Sequence, residues 1–180
     1  MIKTKTKEFL NPEILLKAVP LESGKVVADF GCGNGYYAVA AATLVGNKGQ
    51  VYALDIMEDA LAQTATLGKL VGVRNISALQ CDLEKPGSCP LPGTSCDLVI
   101  LASILHQVSN QDNLVREAYK VLKTGGQILV IEWNPDAIFG PPVNERISRF
   151  QAQKLLEKHG LRPIAELPAG AFHYALLYGK

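Results

Sequence analysis

Charge, long apolar runs and cysteine are all scarce in this 180-residue chain, and each scarcity excludes a class of function. Only 19% of the residues are charged, and 18 basic against 17 acidic side chains leave a formal charge of +1. That balance sets up no field to draw in nucleic acid or an anionic bilayer. Apolar runs such as Leu98-Val-Ile-Leu-Ala102 fall far short of the roughly 20 residues that span a membrane. The lysines at 3, 5 and 7 have no apolar stretch behind them. The start of the sequence therefore reads as a short solvated tail and not as a secretory signal. Cysteines stand at 32, 81, 89 and 96, without the close pairs that structural zinc sites use, so no metal site is expected. Free thiols in a reducing cytoplasm are the expectation, with Cys89, in a loop, the candidate for a reactive one. The hydrophobic share, 48%, is too high for a disordered chain.

Regular punctuation by glycine and proline fills the picture. Asn11-Pro12 opens a short helix. Strand-like runs follow at 25–30, 50–55, 75–80, 96–102 and 127–132. Helical segments lie between them at 35–45, 57–71 and 110–123, the last closed by Gly125-Gly126. A loop at 133–144 and a helix at 145–159 lead to two extended runs, 161–167 and 172–178. The joint between those runs is so short that they must pair antiparallel. Strand and helix in alternation predict an α/β three-layer sandwich on a mostly parallel sheet, in one domain spanning 1–180 with 1–20 as an N-terminal cap segment.

Ligands of such sheets bind beyond the carboxyl ends of the strands, near the point where strand order reverses. The first three predicted strands each deliver a carboxylate there: Asp29, Asp55 and Asp82. Asp29 precedes a glycine turn with the spacing Gly31-x-Gly33-x-Gly35. A dinucleotide fingerprint would be G-x-G-x-x-G, and Tyr36 occupies its third glycine position. A carboxylate at the end of the first strand would also repel a pyrophosphate and attract a cation. No P-loop sequence is present.

Val27-Ala-Asp-Phe-Gly-Cys-Gly-Asn-Gly35 resembles the D/E-x-G-x-G-x-G motif of class I S-adenosylmethionine-dependent methyltransferases. The resemblance continues through Val51–Asp55, Gln80–Leu83, Cys96–Ile100, Ile104-Leu-His-Gln-Val108 and Lys123–Gln127. It is nearest the group that includes ubiquinone/menaquinone-biosynthesis C-methyltransferases and other small-molecule methyltransferases. It implies a Rossmann-like sheet of seven strands, the last inserted antiparallel, which leaves 161–167 at an edge. Pro163 suits an edge strand. It implies S-adenosyl-L-methionine as cofactor and S-adenosyl-L-homocysteine as product. Gly31, Gly33 and Gly35 would approach the methionine part, and Asp29 would hold its ammonium. Asp55 would take the ribose hydroxyls. Ile56 and Met57 would pack on adenine, and Asp82 and Leu83 would read its edge. Cys32 and Ala102 complete the implied cofactor set.

Methyl transfer is an in-line displacement that depends on positioning and, for some acceptors, on a base. His106 and Glu132 lie at strand ends and are the candidate bases, ahead of His173. Tyr36 and Trp133 are candidate walls of an acceptor pocket. The Asp/Asn-Pro-Pro-Tyr run of enzymes that methylate DNA bases or glutamine is replaced by Ala102-Ser-Ile-Leu. A small-molecule acceptor in the cytoplasm is the expected reading, with no nucleic-acid partner and no membrane span. The alternatives are a non-catalytic cofactor-binding relative and a methyltransferase acting on RNA or protein.

Overall fold

The computed structural model describes residues 10–180; the expected solvated tail and the first part of the cap segment lie outside them. Helix α1 (Pro12–Lys17) begins at Asn11, whose side chain accepts from the amides of Glu13 and Ile14. Leu15 and Leu16 anchor it in the core. Five strands follow in the parallel part of the sheet: β1 (Val26–Phe30), β2 (Gln50–Asp55), β3 (Ile76–Gln80), β4 (Cys96–Ala102) and β5 (Leu122–Trp133). β6 (Arg162–Leu167) and β7 (His173–Gly179) form the terminal hairpin. The order is β3-β2-β1-β4-β5-β7-β6, with β7 antiparallel to both neighbours and β6 at the edge.

The central strands are apolar on both faces because helices cover both. On one side α1, α2 (Tyr36–Val45) and α3 (Glu58–Val71) bury Leu16, Val27, Ile100 and Leu129. On the other, α4 (Gln111–Val121) and α5 (Arg149–Lys158) bury Phe30, Val99, Leu101 and Val130. Each large aliphatic side chain removed from water contributes about 1.5–3 kcal/mol before entropy is counted. Ala38, Ala40, Ala41 and Ala42 keep α2 slim, so it fits between the sheet and its neighbours.

Two boundaries differ from the sequence reading. The helix expected over 110–123 ends at Val121, and Gly125-Gly126 lie inside β5 instead of beyond a helix stop. Pairing with β4 slips between Cys96 and Leu98, and this irregular stretch bonds to the last residue through Lys180 N–H to Gly126 O at 2.9 Å. Glycine tolerates such a bulged entry into a strand. The helix expected from 145 starts at Arg149, because Ser148 and Gln151 form a reciprocal capping box. Residues Val143–Glu145 make a single 3-10 turn. Among the described residues no helix is long and apolar enough to cross a membrane.

Candidate active site

Strand order reverses between β1 and β4, and the site builds outward from the carboxyl ends there. Asp29, near the end of β1, is only 1% exposed, and neither carboxylate oxygen has a hydrogen-bond partner among the described residues. Burial pushes its pKa up to about 7; the Ala38 amide, which faces the carboxylate without meeting hydrogen-bond geometry, offsets part of the rise and the nearby Asp55 charge adds to it. A buried carboxylate without a partner is costly, and such groups are paired in most proteins. A cationic ligand group would relieve that cost.

The glycine turn lies directly above. Gly33 has φ +49°, and a Cβ there would meet no protein atom within 4 Å, so its open side is available for close approach by a ligand. Gly35 differs: with φ +79°, its Cβ would lie 2.7 Å from the Thr64 Cα, so α3 itself demands glycine. Thr64 is fully buried and donates to the Gly33 carbonyl at 3.2 Å, tying the turn to α3. Asp55, at the end of β2, accepts from the Gly33 N–H at 2.9 Å and from the Met57 N–H at 3.0 Å. One side chain thereby fixes the glycine turn and the start of α3 together.

A cleft of about 270 Å³ opens here, near the lower end of the small-molecule range. Gly31, Gly33, Asp55, Ile56, Met57, Asp82 and Leu83 all line it, as the sequence predicts. Ile56 and Met57 are 58% and 60% exposed, an unusual solvation for two adjacent apolar side chains and a suitable one for stacking a flat ring. The remaining predicted cofactor residues do not line it. Asp29 lies buried beneath, Gly35 packs on Thr64, Ala102 is half-buried at the end of β4, and Cys32 points at the Thr64 hydroxyl. Burial pushes the Cys32 thiol up to about 12, so it is an inert packing group. Cys89 is buried as well and its thiol is raised by desolvation, against the reactive role considered for it. Tyr36 faces a groove beside α3 and not this cleft. Among the described residues no cluster of His, Cys, Asp or Glu could hold a metal ion.

The two candidate bases meet. Ser103, just past β4, adopts φ +53° and turns the chain back over the end of β5. Glu132, 1% exposed, then accepts from the Leu105 N–H at 2.7 Å with one oxygen and bonds His106 Nδ1 at 2.7 Å with the other. That bond raises the His106 pKa, and burial offsets part of the rise. No hydrogen bond is made at His106 Nε2 among the described residues. With Nδ1–H directed to Glu132, Nε2 carries the free lone pair of the neutral ring. His173 stacks on Trp133 at 4.0 Å between ring centroids. Its Nδ1 is buried without a hydrogen-bond partner among the described residues, and burial lowers its pKa.

Sequence reasoning missed Thr64, Glu84 and Arg146. Glu84 accepts from the amides of Ser109 and Asn110, at 2.7 and 2.8 Å, and so ties the cleft rim to the start of α4. None has a spacing signal, since each bonds to backbone groups of another segment.

Residues 21–160 match the family described as a methyltransferase domain. The ubiquinone/menaquinone biosynthesis C-methyltransferase UbiE of Psychromonas ingrahamii is 32% identical over 131 residues, covering 72% of this chain and 49% of that protein. The demethylmenaquinone methyltransferase of Geobacillus kaustophilus is 28% identical over 128 residues, covering 71% of this chain and 53% of that one. The chain thus spans about half the length of these curated relatives. A SAM-dependent methyltransferase from Aquifex aeolicus superposes with a TM-score of 0.87 at 27% identity, over 95% of this chain and 90% of that one. The unpartnered Asp29, the open Gly33 and the exposed Ile56–Met57 pair fit S-adenosyl-L-methionine, and the chain belongs to the family of S-adenosylmethionine-dependent methyltransferase domains.

Proposed function

We propose that this chain methylates a small, quinone-like hydroxylated aromatic molecule, with His106 as base and Glu132 as the residue that positions it. The Glu132–His106 bond of 2.7 Å carries this reading, because it holds the ring in the tautomer a base requires. The names of the relatives, which concern quinone biosynthesis, support the acceptor class.

S-adenosyl-L-methionine, when bound, supplies an electrophilic methyl on a neutral leaving group. Asp29 would hold the ligand's ammonium, and Asp55 would accept from the ribose hydroxyls. Ile56 and Met57 would pack on adenine, and Asp82 and the Leu83 backbone would read its edge. His106 Nε2 takes the acceptor's hydroxyl proton, so that the ring carbon displaces S-adenosylhomocysteine from the methyl as the carbon–sulfur bond breaks; that ring carbon then loses its hydrogen to solvent as a proton, and the oxygen recovers a proton from His106, which restores the aromatic ring and the base. The imidazolium formed in between is stabilised by the Glu132 carboxylate.

The test is incubation with methyl-labelled S-adenosylmethionine and a short-chain 2-polyprenyl-1,4-naphthoquinol. Label is expected on the naphthoquinol ring. Absence of label there, with label entering another small molecule of a cell extract, would reject the acceptor class.

A further inference from the structure

The segment between β5 and α5 is built around one side chain. Arg146 Nε donates to the Pro141 carbonyl at 2.9 Å, and Nη2 donates to that of Phe139 at 3.1 Å. Nη1 faces the carbonyls of Asn134, Pro135 and Ala137 at 3.2, 3.0 and 2.7 Å. Five carbonyls thus converge on one guanidinium, which has five N–H donors to offer; an ammonium has three. Three prolines and a glycine supply the bends, and no regular secondary structure spans 134–142.

What the loop rests on gives it a direction. Gly140 lies against the Trp133 ring so closely that a Cβ would come within 2.5 Å of Cε3. Phe139 meets Phe172 edge to face, with centroids 5.2 Å apart. Asn134 donates from its side chain to the His173 carbonyl at 3.0 Å, fixing the loop's first residue to β7. Pairing sets Asp29 level with Ile100 and Ile100 level with Leu129. Trp133 follows Leu129 by four residues, so it stands on the same face of the sheet, roughly 13 Å further along the strand. The loop therefore starts beyond the cofactor carboxylate on the face that carries Asp29, and its far end returns to the opposite face, where β5 presents Glu132 and, through it, His106: Ile147 joins the core cluster of that face and its carbonyl accepts from Tyr174, the β7 partner of Glu132, at 3.0 Å. Glu145, at its far end, lies close enough to His106 to favour the protonated ring.

We infer that Arg146 is a positioning residue for the acceptor, holding 134–145 as a preformed wall with Trp133 and His173 at its base. A wall ordered in advance spares the acceptor the entropy of ordering a loop when it binds. This inference rests on the reading that the chain methylates a small molecule, and it concerns acceptor binding only.

Arg146→Ala and Arg146→Lys of the full chain test it. Acceptor dependence is measured with labelled S-adenosylmethionine against both the naphthoquinol and a dilution series of cell-extract small molecules. S-adenosylhomocysteine affinity is measured by calorimetry. Trp133 is the single tryptophan, so its emission reports the loop directly. Arg146→Ala is expected to raise the acceptor concentration for half-maximal labelling at least tenfold and to shift Trp133 emission to longer wavelength. S-adenosylhomocysteine affinity should stay within twofold, and Arg146→Lys should fall between the two. Red-shifted emission with unchanged acceptor dependence would reduce Arg146 to a structural role and overturn the inference. So would parallel losses of acceptor and cofactor affinity. If Arg146→Ala does not fold, Arg146→Lys and Phe139→Ala decide on the same readings. A wild type that labels extract molecules but not the naphthoquinol rejects only the quinone-like acceptor, and Arg146 is still judged on the extract. A wild type that labels neither overturns both.

Discussion

Asp29 and Glu132 are the two carboxylates buried to 1% exposure at the carboxyl edge of the parallel strands, and their surroundings are opposite. Both oxygens of Glu132 are bonded, one to the Leu105 N–H and one to His106. Neither oxygen of Asp29 is bonded among the described residues. The protein thus completes one carboxylate from its own chain and leaves the other unpaired among the described residues, as the proposed contact with a ligand cation requires. The energetic sign follows from the pKa. Asp29 rises from 3.8 to about 7, so the folded chain holds a proton that the unfolded chain has lost. Stability is therefore highest below 3.8, declines as the pH rises toward 7, and carries the full cost above 7. A shift of about three units corresponds to roughly 4 kcal/mol. A cation bound at Asp29 recovers part of that cost, which couples cofactor binding to stability.

The comparison is broken most severely on the Glu132 side. Glu132→Ala leaves the Leu105 N–H buried and unsatisfied and His106 without its partner. It is expected to lower unfolding stability by about 3 kcal/mol in urea titrations while S-adenosylhomocysteine affinity stays near wild type. On the cofactor side, Asp55→Ala removes the acceptor for two loop amides and, with it, the proposed ribose contact. Calorimetry should show an affinity loss of about 1–3 kcal/mol. Gly33→Ala sharpens the distinction between a residue kept for the fold and one kept for the ligand. Its Cβ meets no protein atom, so the stability loss should be only the left-handed backbone term of about 1–2 kcal/mol. Its cofactor affinity should fall far more than that stability loss suggests. The smallest effect is a pH shift. Glu132 raises the His106 pKa above 6.5, so the ion pair contributes stability below 6.5 and loses it as pH rises through the raised value. A base must be neutral, so the methylation rate should rise over that same interval. Glu132→Gln should move this acidic limb of the rate profile to lower pH.

Strand–helix alternation, the glycine turn and the carboxylates closing β1, β2 and β3 were legible because each is a local pattern with a fixed period or spacing. Helix ends were less so. The Gly125-Gly126 pair reads as a helix stop, yet it enters β5 because pairing with β4 and with Lys180 outweighs the local signal. His106 and Glu132 were each identifiable as polar residues at strand ends. Their union was not, since the turn at Ser103 that joins them has no glycine to announce it. Arg146 was invisible for a similar reason: its partners are backbone carbonyls, which every residue carries.

The most direct test of the central contrast is one set of melting curves. Wild type and Asp29→Asn are compared near pH 8, each with and without S-adenosylhomocysteine. Removing an unpartnered buried charge should raise the melting temperature of the ligand-free variant above wild type. The ligand should then raise the wild-type temperature and leave that of Asp29→Asn nearly unchanged. A ligand-free variant that melts below wild type, together with a full ligand-induced rise, would contradict the account of Asp29 as the seat of the cofactor's cation.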